Sequence, residues 1–181
     1  MKRWKKEPAT EIYRNRMFAL KRTRCRHPEK GVVHDFFSID AGDWINVVAT
    51  TEGGRFVLVR QHRLGIDEIT LEIPGGMVDP GDTPEQSATR ELAEETGYRA
   101  GRMTLLKTLS ANPAILTNRL HVFHAAGCVR CGDQHLDAAE DIEVELVTRA
   151  EILEMLRNGD IHHSLVVAAL GLYFLSETGV L

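Results

Sequence analysis

The sequence predicts a mixed α/β layered fold. Three observations lead there. Short, β-branched segments with turn signals between them recur along the chain, two segments carry helix start and stop signals, and a third is a long apolar run. The elements alternate rather than segregate, which is the pattern of packed strand and helix layers. With 181 residues, 43% hydrophobic and 27% charged, the chain fits one domain, or a domain and an arm, that buries about 70% of its unfolded surface. No disulfide scaffold or structural metal is needed to fold it. The three cysteines, an odd number, suit a reducing, cytoplasmic setting.

Taken in order, residues 10–24 mix charges with Ile12, Tyr13, Met17, Phe18 and Leu20 and read as one or two irregular strands. Val32–Ile39 is a further strand, ended by Asp40-Ala41-Gly42-Asp43. Trp44–Thr50 is β-rich, and Glu52-Gly53-Gly54 turns it into a strand over Arg55–Gln61. There Phe56, Leu58 and Arg60 share one face, and Val57, Val59 and Gln61 the other. Ile69–Ile73 is stopped by Pro74-Gly75-Gly76, read as a loop. A helix follows with Thr83 as cap, Pro84 in its first turn, Gln86 completing a capping box and Gly97 closing it. Strands near Met103–Ser110 and Leu120–Ala126 precede a loop over Gly127–Ala139, then a strand at Glu143–Val147. Thr148 and Glu151 form a second capping box opening a helix to Asn158. Ser164–Ser176 is an apolar, core helix. Its longest apolar run falls well short of the roughly 20 residues of a membrane span. The basic start lacks an apolar stretch behind it, so neither a signal peptide nor a membrane is expected.

The net charge of −4 hides an asymmetry. Residues 1–30 hold eleven Lys and Arg against three Glu; the rest hold eleven against twenty-three acids. A basic arm of this kind suits nucleic acid, a phosphate-bearing small molecule or the acidic body of a second copy. It carries no recognisable nucleic-acid motif, so a nucleic-acid partner is not expected. His121, His124, Cys128 and Cys131 lack the paired Cys-x-x-Cys spacing of a zinc site, and the two histidines lie on opposite sides of a strand.

The capped helix carries the chemistry. In Arg90-Glu91-Leu92-Ala93-Glu94-Glu95 the three glutamates lie three or four residues apart, near one helical face. Like charges at that spacing repel. A hard divalent cation such as Mg²⁺, which takes oxygen ligands from a few carboxylates and substrate phosphates, reverses the sign. Arg90 is placed to orient the carboxylates. Gly75-Gly76, just ahead, allows backbone to approach a ligand.

Gly76, Asp82 and Arg90-Glu91-Leu92-x-Glu94-Glu95-x-Gly97-Tyr98 resemble the Nudix box. Asp82 stands where that family usually has Glu. The resemblance implies a Nudix-type α/β/α sandwich with a mixed β-sheet, over residues 41–181. Ahead of it, residues 1–40 would form a basic, antiparallel β-arm for dimerisation and substrate contacts. It implies Glu91, Glu94 and Glu95 as metal ligands, with the Gly76 carbonyl completing the site, and Mg²⁺ as cofactor with Mn²⁺ as an alternative. The catalytic set would be Glu95, Arg90 and, from the late acidic loop, Glu140 as general base.

Within the family the chain is most similar to ADP-ribose pyrophosphatases, from Pro113, from Leu71-Glu72-Ile73-Pro74-Gly75-Gly76 and from the N-terminal β-region. The resemblance implies hydrolysis of the diphosphate of nucleoside diphosphate sugars by a cytoplasmic homodimer, with ADP-ribose first. Substrate contacts would fall to Arg60, Arg63, Glu72, Trp44 and Pro113. The rivals are a Nudix enzyme that hydrolyses nucleoside triphosphates and a non-catalytic regulator that binds nucleotide sugars.

Overall fold

The computed structural model describes residues 1–179, so the last two residues of the expected 41–181 domain lie outside them. Two compact units form: Met1–Asp43 with Ser110–Arg119, and Trp44–Leu109 with Leu120 onward. The segment carrying Pro113 thus folds with the N-terminal strands, although some seventy residues of chain lie between.

In the first unit, strands β1 (Lys5–Lys6), β2 (Thr10–Arg14), β3 (Phe18–Arg26) and β4 (Val33–Ala41) make an antiparallel sheet. The region read as one or two irregular strands is two, and their ladder slips by one residue between Glu11 and Tyr13. Strand β3 pairs with all three others. Its period is visible in exposure: Arg22, Arg24 and Arg26 face solvent while Ala19 and Cys25 are buried. Trp4 packs edge-on against Phe36 and His27, each ring pair 5.2 Å apart. The returning segment docks on β4 through Ile39 N–H to Ile115 O (2.7 Å) and Thr117 N–H to Ile39 O (3.1 Å). Asp40 accepts from Thr117 Oγ1 (2.7 Å) and pairs with Lys21. These two partners hold its carboxyl below the usual carboxylate range.

The second unit is the α/β/α sandwich. Its strands are β5 (Trp44–Thr51), β6 (Phe56–Arg63), β7 (Glu68–Glu72), β8 (Gly75–Met77), β9 (Tyr98–Arg99), β10 (Arg102–Ser110), β11 (Arg119–Arg130) and β12 (Ile142–Val147). The helices are α1 (Pro84–Thr96), α2 (Arg149–Asn158) and α3 (Ser164–Glu177). The central order is β10-β11-β5-β6-β12. Only β11 with β5 is parallel among the registered pairs; β6–β12, β6–β7, β5–β8 and β9–β11 are antiparallel. The sheet is therefore mixed, as expected.

Central strands read as continuous buried runs because both faces are covered. Ile45, Val47, Ala49, Val57, Phe123 and Ala125 pack with Ala88 and Leu92 of α1. Val48, Phe56, Leu58, Leu120 and Val122 pack on the other side with Ile152 of α2 and Val166, Ala169, Leu170 and Tyr173 of α3. The first two helices start and stop as the sequence requires. Both capping boxes form, and Gly97 and Gly159 end their helices at φ 73° and 84°. These left-handed values favour glycine.

Two expected loops are strand. The β11 strand runs through Gly127 to Arg130, because Gly127, at φ 64°, absorbs a one-residue bulge against β5 and the ladder resumes at Cys128. Gly75–Met77 pairs antiparallel with Trp44–Asn46, which fixes the height of this strand against α1. Among the described residues no helix is long and apolar enough to cross a membrane.

His124 of β11 ties this unit to pH. It is half-buried, 2.9 Å from Thr50 Oγ1 and edge-on to Tyr173. Burial, then the Arg102 charge, lower its pKa, against a smaller opposing pull from Glu177. The fold therefore favours the neutral ring. That contribution is complete above the unfolded value of about 6.5 and is lost as pH falls below it towards the lower folded value. Wild type should lose thermal stability between pH 7 and 5 more steeply than His124→Gln; superimposable pH–stability curves would remove His124 from this role.

Candidate active site

The site is built where β8 and the first turns of the sheet meet α1. Gly75 and Gly76 are required by close approach rather than by torsion. A Cβ on Gly75 would stand 2.6 Å from Ile45 O and 2.7 Å from Asn46 Oδ1; one on Gly76 would stand 2.6 Å from the Glu91 carboxyl carbon. The bare Gly76 backbone is thus a cradle for the Glu91 carboxylate.

Glu95 is the most deeply set of the three helix glutamates, 3% exposed, and accepts a hydrogen bond from Gly75 N–H at 3.0 Å. Its pKa is pushed up to about 8 by burial, against the Gly75 bond, with the charges of Glu91 and Glu140 adding to the rise and Arg63 opposing it. Glu91 is also raised, by burial first, against Arg90 and with Glu94 and Glu140 contributing. Several carboxylates are thus held together in a poorly hydrated place. All-oxygen donors in such a cluster suit a hard dication, which neutralises the repulsion that burial amplifies.

Arg90 balances this cluster. Its guanidinium lies 3.0 Å from Glu91, 2.9 Å from Glu94 and 2.9 Å from Asp79. Asp82, the shorter acid in the motif, accepts from Ser87 Oγ at 3.2 Å and lies 3.8 Å from Arg90. It belongs to the arginine's surroundings rather than to the glutamate face. With Glu91 and Glu94 turned to Arg90, no three acidic, His or Cys side chains among the described residues converge on one point. A shared ion requires Glu91 or Glu94 to swing from the arginine. Arg90 touches carboxylates rather than any position for a substrate, so its part is positioning.

Glu140 comes from the segment between β11 and β12. Its carboxylate accepts from Asp137 N–H at 2.9 Å, and it is exposed. Its charge reaches Glu91 and Glu95. The segment is moored to the end of α1 by Gln134, whose amide donates to Glu95 O (2.6 Å) and Ile142 O (3.0 Å), and by His135 N–H to Glu94 O (2.8 Å). Sequence reasoning missed Gln134, because a lone glutamine in a polar loop carries no pattern.

Strand parity redistributes the expected substrate residues. Val57 packs on α1, so Gln61 and Arg63, at even spacing from it, take that side of the sheet. Phe56 and Leu58 pack on the α2–α3 side, and Arg60 goes with them, its Nε 2.9 Å from Glu145. Arg60 is therefore corrected away from the glutamates, and Arg63 is the arginine on their side. Trp44 likewise packs against the α2–α3 core cluster. Glu72, 3% exposed, gives both carboxylate oxygens to the protein. Arg63 donates through Nε (2.6 Å) and Nη2 (2.7 Å), and Thr70 Oγ1 donates at 2.6 Å. Burial works to raise its pKa, but those bonds and the Arg63 charge hold it below the ordinary value. Its contacts in this structure are with Arg63 and Thr70. Pro113 lies in the other unit, on a cavity of about 330 Å³ with Trp4, Lys6, Phe36 and Phe37.

The two glycines give contrasting outcomes. Gly75→Ala meets backbone and should cost roughly 1–3 kcal/mol of stability. Gly76→Ala meets the end of a flexible side chain and should leave the melting temperature nearly unchanged while displacing Glu91 and weakening Mg²⁺ binding. Thermal melts with and without Mg²⁺ distinguish them; equal losses of stability would contradict the assigned contacts.

Comparison with known proteins agrees with this geometry. The NUDIX domain model matches residues 43–170. The chain is 31% identical over 134 residues, 74% of its length and 72% of the other protein's, to an ADP-ribose pyrophosphatase of Bacillus subtilis. It is 30% identical, with the same coverage, to a methanol dehydrogenase activator of Bacillus methanolicus. A crystal structure of an ADP compounds hydrolase superposes with a TM-score of 0.84 at 21% identity, over 100% of this chain and 98% of that one, a likeness of fold. The chain belongs to the Nudix family and is a hydrolase of its pyrophosphatase type.

Proposed function

We propose that the protein hydrolyses the diphosphate of nucleoside diphosphate sugars, ADP-ribose first, to a nucleoside monophosphate and a sugar phosphate. The observation that carries this is the buried Glu95, seated on Gly75 and flanked by Glu91 and Glu140. The relative from Bacillus subtilis, an ADP-ribose pyrophosphatase, and others named for ADP compounds support the substrate class.

Glu91, Glu94 and Glu95, with the Gly76 carbonyl, would hold Mg²⁺ or Mn²⁺. Such an ion, when bound, offsets the negative charge of a diphosphate and makes water a better nucleophile. The chain's own residues do the rest. Glu140 takes the proton of the attacking water as its oxygen bonds to phosphorus. The P–O bond to the bridging oxygen then breaks, and that oxygen leaves on the other phosphate. Arg63 presents a fixed cation to the diphosphate. Arg90 restrains Glu91 and Glu94.

The basic β-arm, residues 1–40, is proposed to mediate a homodimer and to add substrate contacts, supported by its charge and by the aromatic cavity that includes Pro113. Three free thiols fit a cytoplasmic setting. Retention of the whole acidic cluster favours turnover over a purely regulatory role.

The test is turnover of a panel of nucleotide sugars and nucleoside triphosphates with Mg²⁺, products identified by mass spectrometry. ADP-ribose should give AMP and ribose 5-phosphate, and Glu95→Gln should lower kcat at least about a hundredfold. Pyrophosphate released from triphosphates alone, or full activity in the variant, would contradict the reading.

A further inference from the structure

Arg63, Thr70 and Glu72 form a network whose parts differ sharply in exposure. Thr70 is 1% and Glu72 3% exposed, whereas the Arg63 side chain is 41% exposed. The antiparallel ladder of β6 with β7 sets Gln61 opposite Thr70, Val59 opposite Glu72 and Arg63 opposite Glu68. Residues opposite each other share a face, so Arg63, Thr70 and Glu72 lie on one side of the ladder. The arginine runs back along the ladder, past Thr70, to grip Glu72 with a two-bond fork at 2.6 and 2.7 Å. The fork uses Nε and one terminal nitrogen. The other terminal nitrogen, Nη1, takes no part in the fork, and the side chain, 41% exposed, stands on the side of the sheet that packs on α1.

Thr70 completes the anchor. Its hydroxyl donates to Glu72 Oε1 at 2.6 Å, the same oxygen that receives Arg63 Nε. Its other acceptor within reach, Gln61 O, is farther, at 3.4 Å. A buried carboxylate with a single cation as partner retains freedom to turn about its terminal torsion. Thr70 removes that freedom: the carboxylate plane is set by two elements, and the fork then sets the guanidinium plane. A guanidinium discriminates by its plane, because bidentate recognition of a phosphate needs two parallel N–H bonds.

We propose that Thr70, acting through Glu72, is a positioning residue that fixes the outward edge of Arg63 as the receptor for the substrate diphosphate. This rests on the proposed pyrophosphatase function for its ligand, but not for the anchoring itself. Thr70 contacts no substrate.

The variants are Thr70→Val, which keeps shape and loses the hydroxyl, Thr70→Ser, which keeps the hydroxyl, and Arg63→Lys, which keeps charge and loses the fork. The first readout is the Arg63 Nε–Hε signal in ¹⁵N-correlated spectra of the full chain. The second is titration calorimetry of ADP, with and without Mg²⁺. The third is the kcat and KM for ADP-ribose. Thr70→Val should broaden or shift the Arg63 signal and weaken ADP by about five- to tenfold. KM should rise more than kcat falls, and Thr70→Ser should restore all three. In the Arg63→Lys background Thr70→Val should add nothing, since the effect passes through Arg63.

An unchanged Arg63 signal in a folded Thr70→Val protein would overturn the proposal, as would full ADP affinity despite a loosened arginine, or additive effects in the double variant. Wild type that hydrolyses no nucleotide sugar, yet shows the expected signal and ADP responses, would sink the pyrophosphatase reading and leave the anchor standing.

Discussion

The seating of Glu95 on the Gly75 backbone governs what surrounds it. A three-residue strand, Gly75–Met77, is laid against β5, and its first N–H points at a glutamate from the last turn of α1. That single 3.0 Å bond can form only if two glycines let the strand lie close to both β5 and the helix. It also requires α1 to be held at a fixed depth, by Ala88 and Leu92 packed between helix and sheet. The consequence is electrostatic. A carboxylate so deeply set is costly to ionise, and the neighbouring Glu91 and Glu140 raise that cost further. The fold keeps an unfavourable arrangement of acids, which is the usual mark of a site whose partner is a cation.

Two arginines answer this charge in different ways. Arg90 sits on the helix that carries the glutamates and binds Glu91 and Glu94 directly. It is the counter-charge to both. Arg63 stands on the sheet, is gripped by the buried Glu72 and lies near enough for its charge to lower the Glu95 pKa. Glu72 holds it by a two-bond fork.

Much of this was legible in the sequence, and the reason is locality. The capping box of Thr83 and Gln86, the glycine stop at Gly97 and the three glutamates on one helical face are all fixed by contacts within a few residues. The period-two pattern of β6 correctly divided Phe56 and Leu58 from Val57. What escaped depends on pairings distant in the chain. The Ser110–Arg119 segment joins the N-terminal sheet through Ile39, and Gln134 reaches back to α1. The anchoring of Arg63 needs the β6–β7 pairing, which puts Arg63 on the same face of the ladder as Thr70 and Glu72 and Arg60 on the other. Strand parity alone was enough to separate those two arginines, had it been carried through to the helix side. Gly127 read as a terminator because a glycine at positive φ ends a strand or bulges it, and only the β5 partner decides which.

The central claim is that the acids of α1 hold a divalent cation. Its most direct test is Mn²⁺ binding to the purified full-length protein, followed by the loss of free-ion signal in electron paramagnetic resonance, for wild type, Glu91→Gln and Glu95→Gln. The account predicts saturable binding by wild type, displaced by Mg²⁺ and weakened at least about tenfold by either substitution. Equal binding by all three proteins, or none by the wild type, would contradict it.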